Sequence, residues 1–291
     1  MTEKLHIPQH FTPVCSVETL IELIKQYSIK GTSTNNYQLP VTFGGPITSS
    51  HLYSATNNNN LFLLLKKGLY YKAFYYLNNL EAEAIQWPVL PVVLEILYRG
   101  KDNYPSSTIT FWETQGFKKH LARDFMTATL QAPPEKPVAD TNIKIVKASS
   151  ESEAIFALDC MKTALDPFTG DQKTIKELSS AMADKNLYVA YYGSLPAGFF
   201  RQEIRNEITY LGHLVVDDAF RGKGIAQQLV YRFLADSFKG TPSRYQLWVI
   251  KNNAGALNLY KKFGFLYAGK STQSMLKIVS DKQNGKTSRN T

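Results

Sequence analysis

The chain has 291 residues, 44% apolar and 20% charged, a balance that supports sizeable cores and excludes the disordered class. Its net charge of +9 lies almost wholly in the second half, where residues 141–291 hold twenty-one Lys+Arg against thirteen Asp+Glu; residues 1–140 hold twelve against eleven. No consecutive run of five basic residues accompanies that charge, so nucleic-acid binding is not expected, and solvated lysines or a phosphorylated cofactor account for it better.

The two cysteines, Cys15 and Cys160, lie too far apart in the chain to suggest a disulfide framework. No apolar stretch with a basic flank follows Met1, and none reaches the ~20 residues of a membrane span. A cytoplasmic, soluble protein is expected.

In chain order, residues 17–27 read as a helix with Leu20, Ile21, Leu23 and Ile24 on one side. A polar turn at 57–60 precedes a hairpin of 61–65 and 70–77 around Lys66-Lys67-Gly68. A strand over 91–98 and a short helix over 110–116 follow. Trp87 and Tyr98 read as core residues, and Glu81, Glu83 and Glu95 as solvated charges. The seam is Gln131-Ala132-Pro133-Pro134-Glu135-Lys136-Pro137, whose prolines suit a stiff connector. We therefore expect domains at 1–131 and 142–280, a linker at 132–141 and a frayed tail at 281–291.

After the seam comes a strand at 143–146. A helix over 149–165 should be capped by Ser149 or Ser150, with Ile155, Leu158 and Met161 facing inward. A helix over 173–183 precedes a hairpin of 186–192 and 196–202. Then come a strand at 207–216, an amphipathic helix at 224–238, a buried strand at 245–250, a helix at 253–263 ended by Gly264, and a last strand near 274–278. Alternating strands and helices of this kind predict an α/β or α+β fold on a mixed sheet. A faint repeat also links the halves, because Phe111-Trp112-Glu113-Thr114-Gln115-Gly116-Phe117 lines up with Leu259-Tyr260-Lys261-Lys262-Phe263-Gly264-Phe265.

The strongest local signal is Val215-Val216-Asp217-Asp218-Ala219-Phe220-Arg221-Gly222-Lys223-Gly224-Ile225-Ala226. An apolar strand ends, a turn follows, and two glycines open a helix. Gly222 and Gly224 allow a ligand to approach the backbone closely. The free N–H groups of residues 223–226, the helix dipole, Arg221 and Lys223 together make an anion site suited to phosphate. A Walker-type loop is excluded, since four residues between its glycines and a Gly-Lys-Ser/Thr ending are missing. A dinucleotide fingerprint fails at Gln227, where its third glycine would stand.

Arg221-x-x-Gly224-x-Ala226 resembles the pyrophosphate-binding signature of the GNAT superfamily of N-acetyltransferases. The segment Trp248-Val249-Ile250-Lys251-Asn252-Asn253, with Ala256, Leu259-Tyr260 and Gly264-Phe265, is similar to that family's next motif. The resemblance covers about 140 residues and implies a mostly antiparallel mixed sheet flanked by helices, with acetyl-CoA as cofactor and an amine as acceptor. It implies that Leu214, Val215 and Val216 pair through their backbone with the pantetheine arm. Arg221, Gly222, Lys223, Gly224, Ile225 and Ala226 would cradle the pyrophosphate. Asn253 would hydrogen-bond pantetheine, or simply cap its helix, and Tyr260 would protonate the leaving thiolate.

Two residues compete as general base for the amine. Glu207 starts the strand leading to the phosphate loop, and His213 lies further along it with an imidazole suited to neutral pH. They share a face unless a bulge intervenes. The first half has no such loop and places Trp112 where Tyr260 stands, so it reads as a second, degenerate GNAT-like domain that shapes the acceptor cleft. Acceptor choice would fall to that half and to the loop at 167–173. Besides N-acetyl transfer, a CoA-binding module without turnover and an acyltransferase for longer acyl donors fit the same residues. A free sheet edge would allow a homodimer.

Overall fold

The computed structural model describes residues 10–278, apart from 82, 101, 139 and 239–242. The expected frayed tail at 281–291 lies outside the described residues. The chain divides into two compact units, Met1–Leu121 with Thr272–Thr291, and Ala122–Ser271. The division falls at Leu121/Ala122 and Ser271/Thr272, not at the Pro-rich segment that marks the expected boundary.

Unit 1 begins with β1 (Thr12–Pro13), α1 (Val17–Tyr27) and β2 (Ser33–Thr34), followed by α2 (Gly44–Thr48) and β3 (Leu52–Asn57). Then come β4 (Asn60–Lys67), β5 (Tyr70–Leu77), β6 (Val92–Arg99), α3 (Ser106–Thr114) and the start of β7 (Lys118–Leu130). The polar run at 57–60 is a two-residue turn. Asn58 and Asn59 hold positive φ of 45° and 67°, which an asparagine pair tolerates and the hairpin of β3 and β4 demands. β4 and β5 pair along their length, Leu61↔Tyr76 to Lys67↔Tyr70. Trp87 and Tyr98 are buried, as expected, and Glu95 pairs with Lys72 at 3.7 Å.

Unit 2 takes the rest of β7, then β8 (Ile143–Lys147), α4 (Glu151–Ala164), α5 (Ile175–Ala183), β9 (Leu187–Tyr192), β10 (Leu195–Arg205) and β11 (Ile208–Val216). It closes with α6 (Ile225–Ser237), β12 (Ser243–Ile250), α7 (Ala254–Lys262) and the first half of β13 (Leu266–Lys277). The sheet order within it is β7-β12-β11-β10-β9-β8. Every pairing is antiparallel except β11 with β12. This is the mixed, mostly antiparallel α/β sheet expected. One face packs on α6 and α7 through Leu211, Leu247, Val249, Leu229 and Phe233, and the other on α4 and α5 through Leu187, Val189, Phe199 and Val215.

Three local expectations need correction. Ser150 caps α4 through a reciprocal capping box with Glu153 and Met161 is buried as expected, but the rest of the fully buried stripe is Ala154, Ala157 and Cys160. Ile155 is 45% exposed. The small residues at i, i+3 spacing let the helix approach the sheet, so the bulkier Ile155 is left outside. β12 is not buried on both faces, because Tyr245, Leu247 and Val249 alternate with exposed Arg244 and Trp248. Glu207 does not begin β11. It sits with Asn206 in the turn from β10, both at positive φ (46° and 64°), and is exposed.

The seven-residue echo between the halves has a shared geometry. α3 ends at Gly116 (φ 83°) and α7 at Gly264 (φ 82°). In each, the N–H of the following phenylalanine reaches back to the carbonyl of the helix aromatic, Phe117 to Trp112 at 3.0 Å and Phe265 to Tyr260 at 3.1 Å. The two rings then meet edge to face, with centroids 5.0 Å apart in the first pair and 5.8 Å in the second. This is the 6→1 bond and hydrophobic contact of a Schellman ending. A long strand leaves each one, β7 from the first and β13 from the second.

Candidate active site

The anion loop takes its shape from the end of β11. Asp217 caps a short 3₁₀ turn at Asp218–Phe220 through the Ala219 N–H, and Arg221 returns to an extended backbone. Gly222 and Gly224 both adopt left-handed conformations, φ 81° and 78°, and a methyl group built on either meets nothing within 4 Å. Those glycines therefore serve conformation and open space together. Gly224 is the N-cap of α6 and offers no side chain to the first-turn N–H groups. The helix start thus presents uncapped donors toward an uncrowded surface, which suits a pyrophosphate.

The cations are placed unevenly. Arg221 is mostly exposed and pairs with Asp218 at 2.6 Å. The Lys223 ammonium lies 4.5 Å from the centroid of the Tyr192 ring. Asp140, beside it, is held below the usual carboxylate range, chiefly by the Asn142 backbone N–H, with Lys223 contributing. Gln228, in the first turn of α6, donates to the carbonyls of Pro137 and Val138, so the end of the Pro-rich segment is moored next to the loop.

Upstream of the loop, two parallel strands part. β11 and β12 pair from Ile208↔Arg244 to Leu211↔Leu247 and no further, although both strands continue. The parting coincides with a bulge. Opposite β10, Arg201 faces His213 while Gln202 faces Leu211, which leaves Gly212 as the extra residue. A methyl on Gly212 would meet the Arg201 guanidinium at 2.7 Å, so glycine permits the crowding there. Beyond Gly212, the β12 side of residues 213–216 is a slot with unpaired strand backbone. An extended amide-bearing chain can bond there as an added strand does.

Of the two predicted bases, neither is placed for the role. Glu207 is exposed in the hairpin turn before β11, five positions ahead of the bulge at Gly212, roughly 15 Å at ~3.3 Å per residue. His213 is buried and doubly engaged. Its Nδ1 accepts from Arg201 Nε at 3.3 Å, and its Nε2 lies 3.1 Å from the carbonyl oxygen of Gly170. An imidazole that accepts at Nδ1 carries its proton on Nε2 and donates it to Gly170, so no lone pair remains for an amine proton. Burial, then the Arg201 charge, depresses its pKa below the ordinary value.

The bulge also breaks the shared face expected of these residues. His213 instead latches the loop at 166–173, which Arg123 of β7 holds too, through Nη2 to Thr169 O (3.1 Å) and Oγ1 (2.8 Å). Arg201, Arg123 and the loop's Asp166 turn were not singled out in sequence; nothing in their spacing marks them.

The latch predicts a pH dependence of stability. His213 has a folded pKa below its unfolded value, so its contribution is complete above about pH 6.5 and is lost as the pH falls below it. The Tm of the native protein should fall more steeply from pH 7 to 5 than that of His213→Gln, whose amide can accept from Arg201 and donate to Gly170 without titrating. Equal slopes would disprove the latch.

Asn253 caps α7, accepting from the Ala256 N–H at 3.0 Å, and is exposed, so its Nδ2 still has both protons to donate. Tyr260 lies in the last turn of α7, 8% exposed, edge-on to Phe265. Burial pushes its phenol up to about 12. Among the described residues nothing hydrogen-bonds its hydroxyl. Behind Arg201, α5 and β10 enclose a separate cleft of about 250 Å³ whose walls include Lys173, Glu177, Asp184 and Glu203.

Residues 157–265 match the Acetyltransferase (GNAT) family. The match lies wholly within unit 2. The matched span runs from α4 to the end of α7 and includes the anion loop, the parted strands and Tyr260. Over 83 residues the chain is 29% identical to the spermine/spermidine N(1)-acetyltransferase of Bacillus subtilis, 28% of this chain and 52% of that protein. It thus spans about half the length of that curated relative.

Among solved structures, a GCN5-related N-acetyltransferase from Sphaerobacter thermophilus aligns at a TM-score of 0.56 with 15% identity, covering 75% of this chain and 76% of its own. A tandem GNAT protein from the clavulanic acid biosynthesis pathway aligns at 0.54 with 10% identity, over 93% of this chain and 99% of its own. These are likenesses of fold. Among the described residues no helix is long and apolar enough to cross a membrane, and no three His, Cys, Asp or Glu side chains group to hold a metal ion.

Proposed function

We propose that unit 2 transfers an acetyl group from acetyl-CoA to an amine, and that unit 1 is a second GNAT-like fold without a cofactor loop. The single observation that carries the transferase reading is the slot where β11 and β12 part, opening beside an uncapped helix start. The two together match a chain of amides ending in a pyrophosphate. Residues 222–226 would hold the pyrophosphate through backbone N–H groups, and 213–216 the pantetheine as an added strand. Asn253 would donate to it from Nδ2.

When bound, acetyl-CoA supplies a thioester carbonyl. The amine nitrogen adds to that carbon, an N–C bond forms and the C–S bond breaks. Tyr260 gives its hydroxyl proton to the sulfur and regains one from water. With Glu207 remote and His213 engaged, the amine loses its own proton to water. A phenol raised to about 12 stays protonated throughout the working range and is available as an acid.

The test is calorimetric titration of acetyl-CoA into the protein, followed by thiol release with a panel of amines. Binding with a micromolar Kd and amine-dependent release are expected. Binding without release from any amine would favour a CoA-sensing module instead. Absence of binding would end both readings.

A further inference from the structure

The face on which an acceptor would meet the parted strands carries chemistry of its own. Trp248 is the first residue of β12 beyond the last paired position, Leu211↔Leu247. Its neighbours Leu247 and Val249 point into the α6–α7 core and are 2% and 4% exposed, whereas Trp248, on the opposite face, is 42% exposed. His213 lies on that opposite face too, since the bulge at Gly212 puts it in phase with Val215, which packs toward α4 and α5. The indole therefore stands at the mouth of the slot, on the side of the loop latched by His213 and Arg123.

The indole is held in place. In register with it on β7 is Phe125, buried to 8% exposure, with ring centroids 4.8 Å apart at 45°. The pair already draws an ammonium, because Lys270 Nζ lies 5.2 Å from the Phe125 centroid. The carboxylates bordering this region are neutralised. Asp124 takes Lys251 at 3.3 Å and the Ser271 hydroxyl at 2.6 Å, and Asp171 takes Lys173 at 2.8 Å. A second ammonium on the acceptor would find its acids already occupied. A flat ring would find an exposed, rigid indole, where aromatic stacking and cation–π attraction both act.

We infer that Trp248, positioned by Phe125, selects an arylalkylamine acceptor, whose ring lies on the indole while its amine reaches into the slot. This rests on the transferase reading above and adds the acceptor class. Trp248 would touch substrate; Phe125 acts through it, as a positioning residue.

The test compares phenethylamine, tryptamine and spermidine with the full chain, by steady-state acetylation and by titration of each amine into the CoA-saturated protein. Either arylalkylamine should exceed spermidine at least tenfold in kcat/KM. Trp248→Ala should raise the arylalkylamine KM at least tenfold, leaving kcat and the CoA Kd within twofold, and Trp248→Phe should restore most of the loss. Phe125→Leu should raise KM less, again without changing the CoA Kd. Preference for spermidine, or an unchanged KM in Trp248→Ala, overturns the inference. CoA binding without arylalkylamine binding to the CoA-loaded protein overturns it alone, while failure of the unaltered chain to bind CoA overturns the transferase reading beneath it.

Discussion

Gly224→Glu should lose at least ~100-fold in affinity for acetyl-CoA, a change of about 3 kcal/mol in binding. Gly224 sets φ at 78° immediately before the first turn of α6, where the N–H groups are uncapped. A glutamate there places a carboxylate where a pyrophosphate would be received, replacing attraction to the helix start with repulsion. It also forces a side chain into a left-handed conformation at ~1–2 kcal/mol.

Gly224→Asn separates the two effects. Asparagine tolerates that backbone, and nothing lies within 4 Å of a β-carbon at this position, so the variant should fold normally and bind CoA within several-fold of the native protein. Titration calorimetry reads both variants. Undiminished binding in Gly224→Glu would move the pyrophosphate elsewhere.

Tyr260→Phe should lower kcat roughly 100-fold, in the range ascribed to one positioned general acid, and leave the Kd for CoA within about twofold. The ring's packing survives the change. Its edge-to-face contact with Phe265 and the bond from the Phe265 N–H to the Tyr260 carbonyl do not involve the hydroxyl. The loss is therefore chemical rather than structural, and an unchanged Tm with a collapsed kcat is the expected pair of readings. A kcat within threefold of native would remove Tyr260 from the mechanism and leave it as half of a helix ending.

The same phenol bears on stability at high pH. Its folded pKa exceeds the unfolded value near 10, so the contribution is complete below pH 10 and is lost as the pH climbs toward 12.

The sequence was most legible where local chemistry decides. α1 is bounded where its apolar spacing predicts, and the glycines of the anion loop announce their backbone. It was least legible where distant register decides. The bulge at Gly212 and the parting of β11 from β12 leave no mark in either strand's composition, yet they place His213 against Gly170 instead of in an open cleft. Glu207 was misplaced for a local reason. Its turn with Asn206 lacks the glycine that usually signals two positive φ angles, so the strand expected from 207 begins one residue too early. β7 escaped notice because Lys118-Lys119-His120 and Arg123-Asp124 break the apolar alternation, which is regular only from Met126 onward. α4 misled through its alanines, which pack closely but carry little hydrophobic signal.

The two long strands that leave the matched helix endings have a consequence for synthesis. β7 starts in unit 1 and continues into unit 2, while β13 starts in unit 2 and its last residues, from Thr272, count with unit 1. Met275 lies in the same buried cluster as Trp112 and Phe117, and Lys277 donates to the carbonyl of Gln115 at 2.7 Å. On the ribosome, the unit translated first therefore waits for residues made more than 150 positions later, while Ala122–Ser271 is already complete. The later-made unit, which bears the glycine loop at 221–226, has all its residues first, and the earlier one is completed only by residues from Thr272 onward. A cut at the Pro-rich segment would sever each unit from a strand it needs.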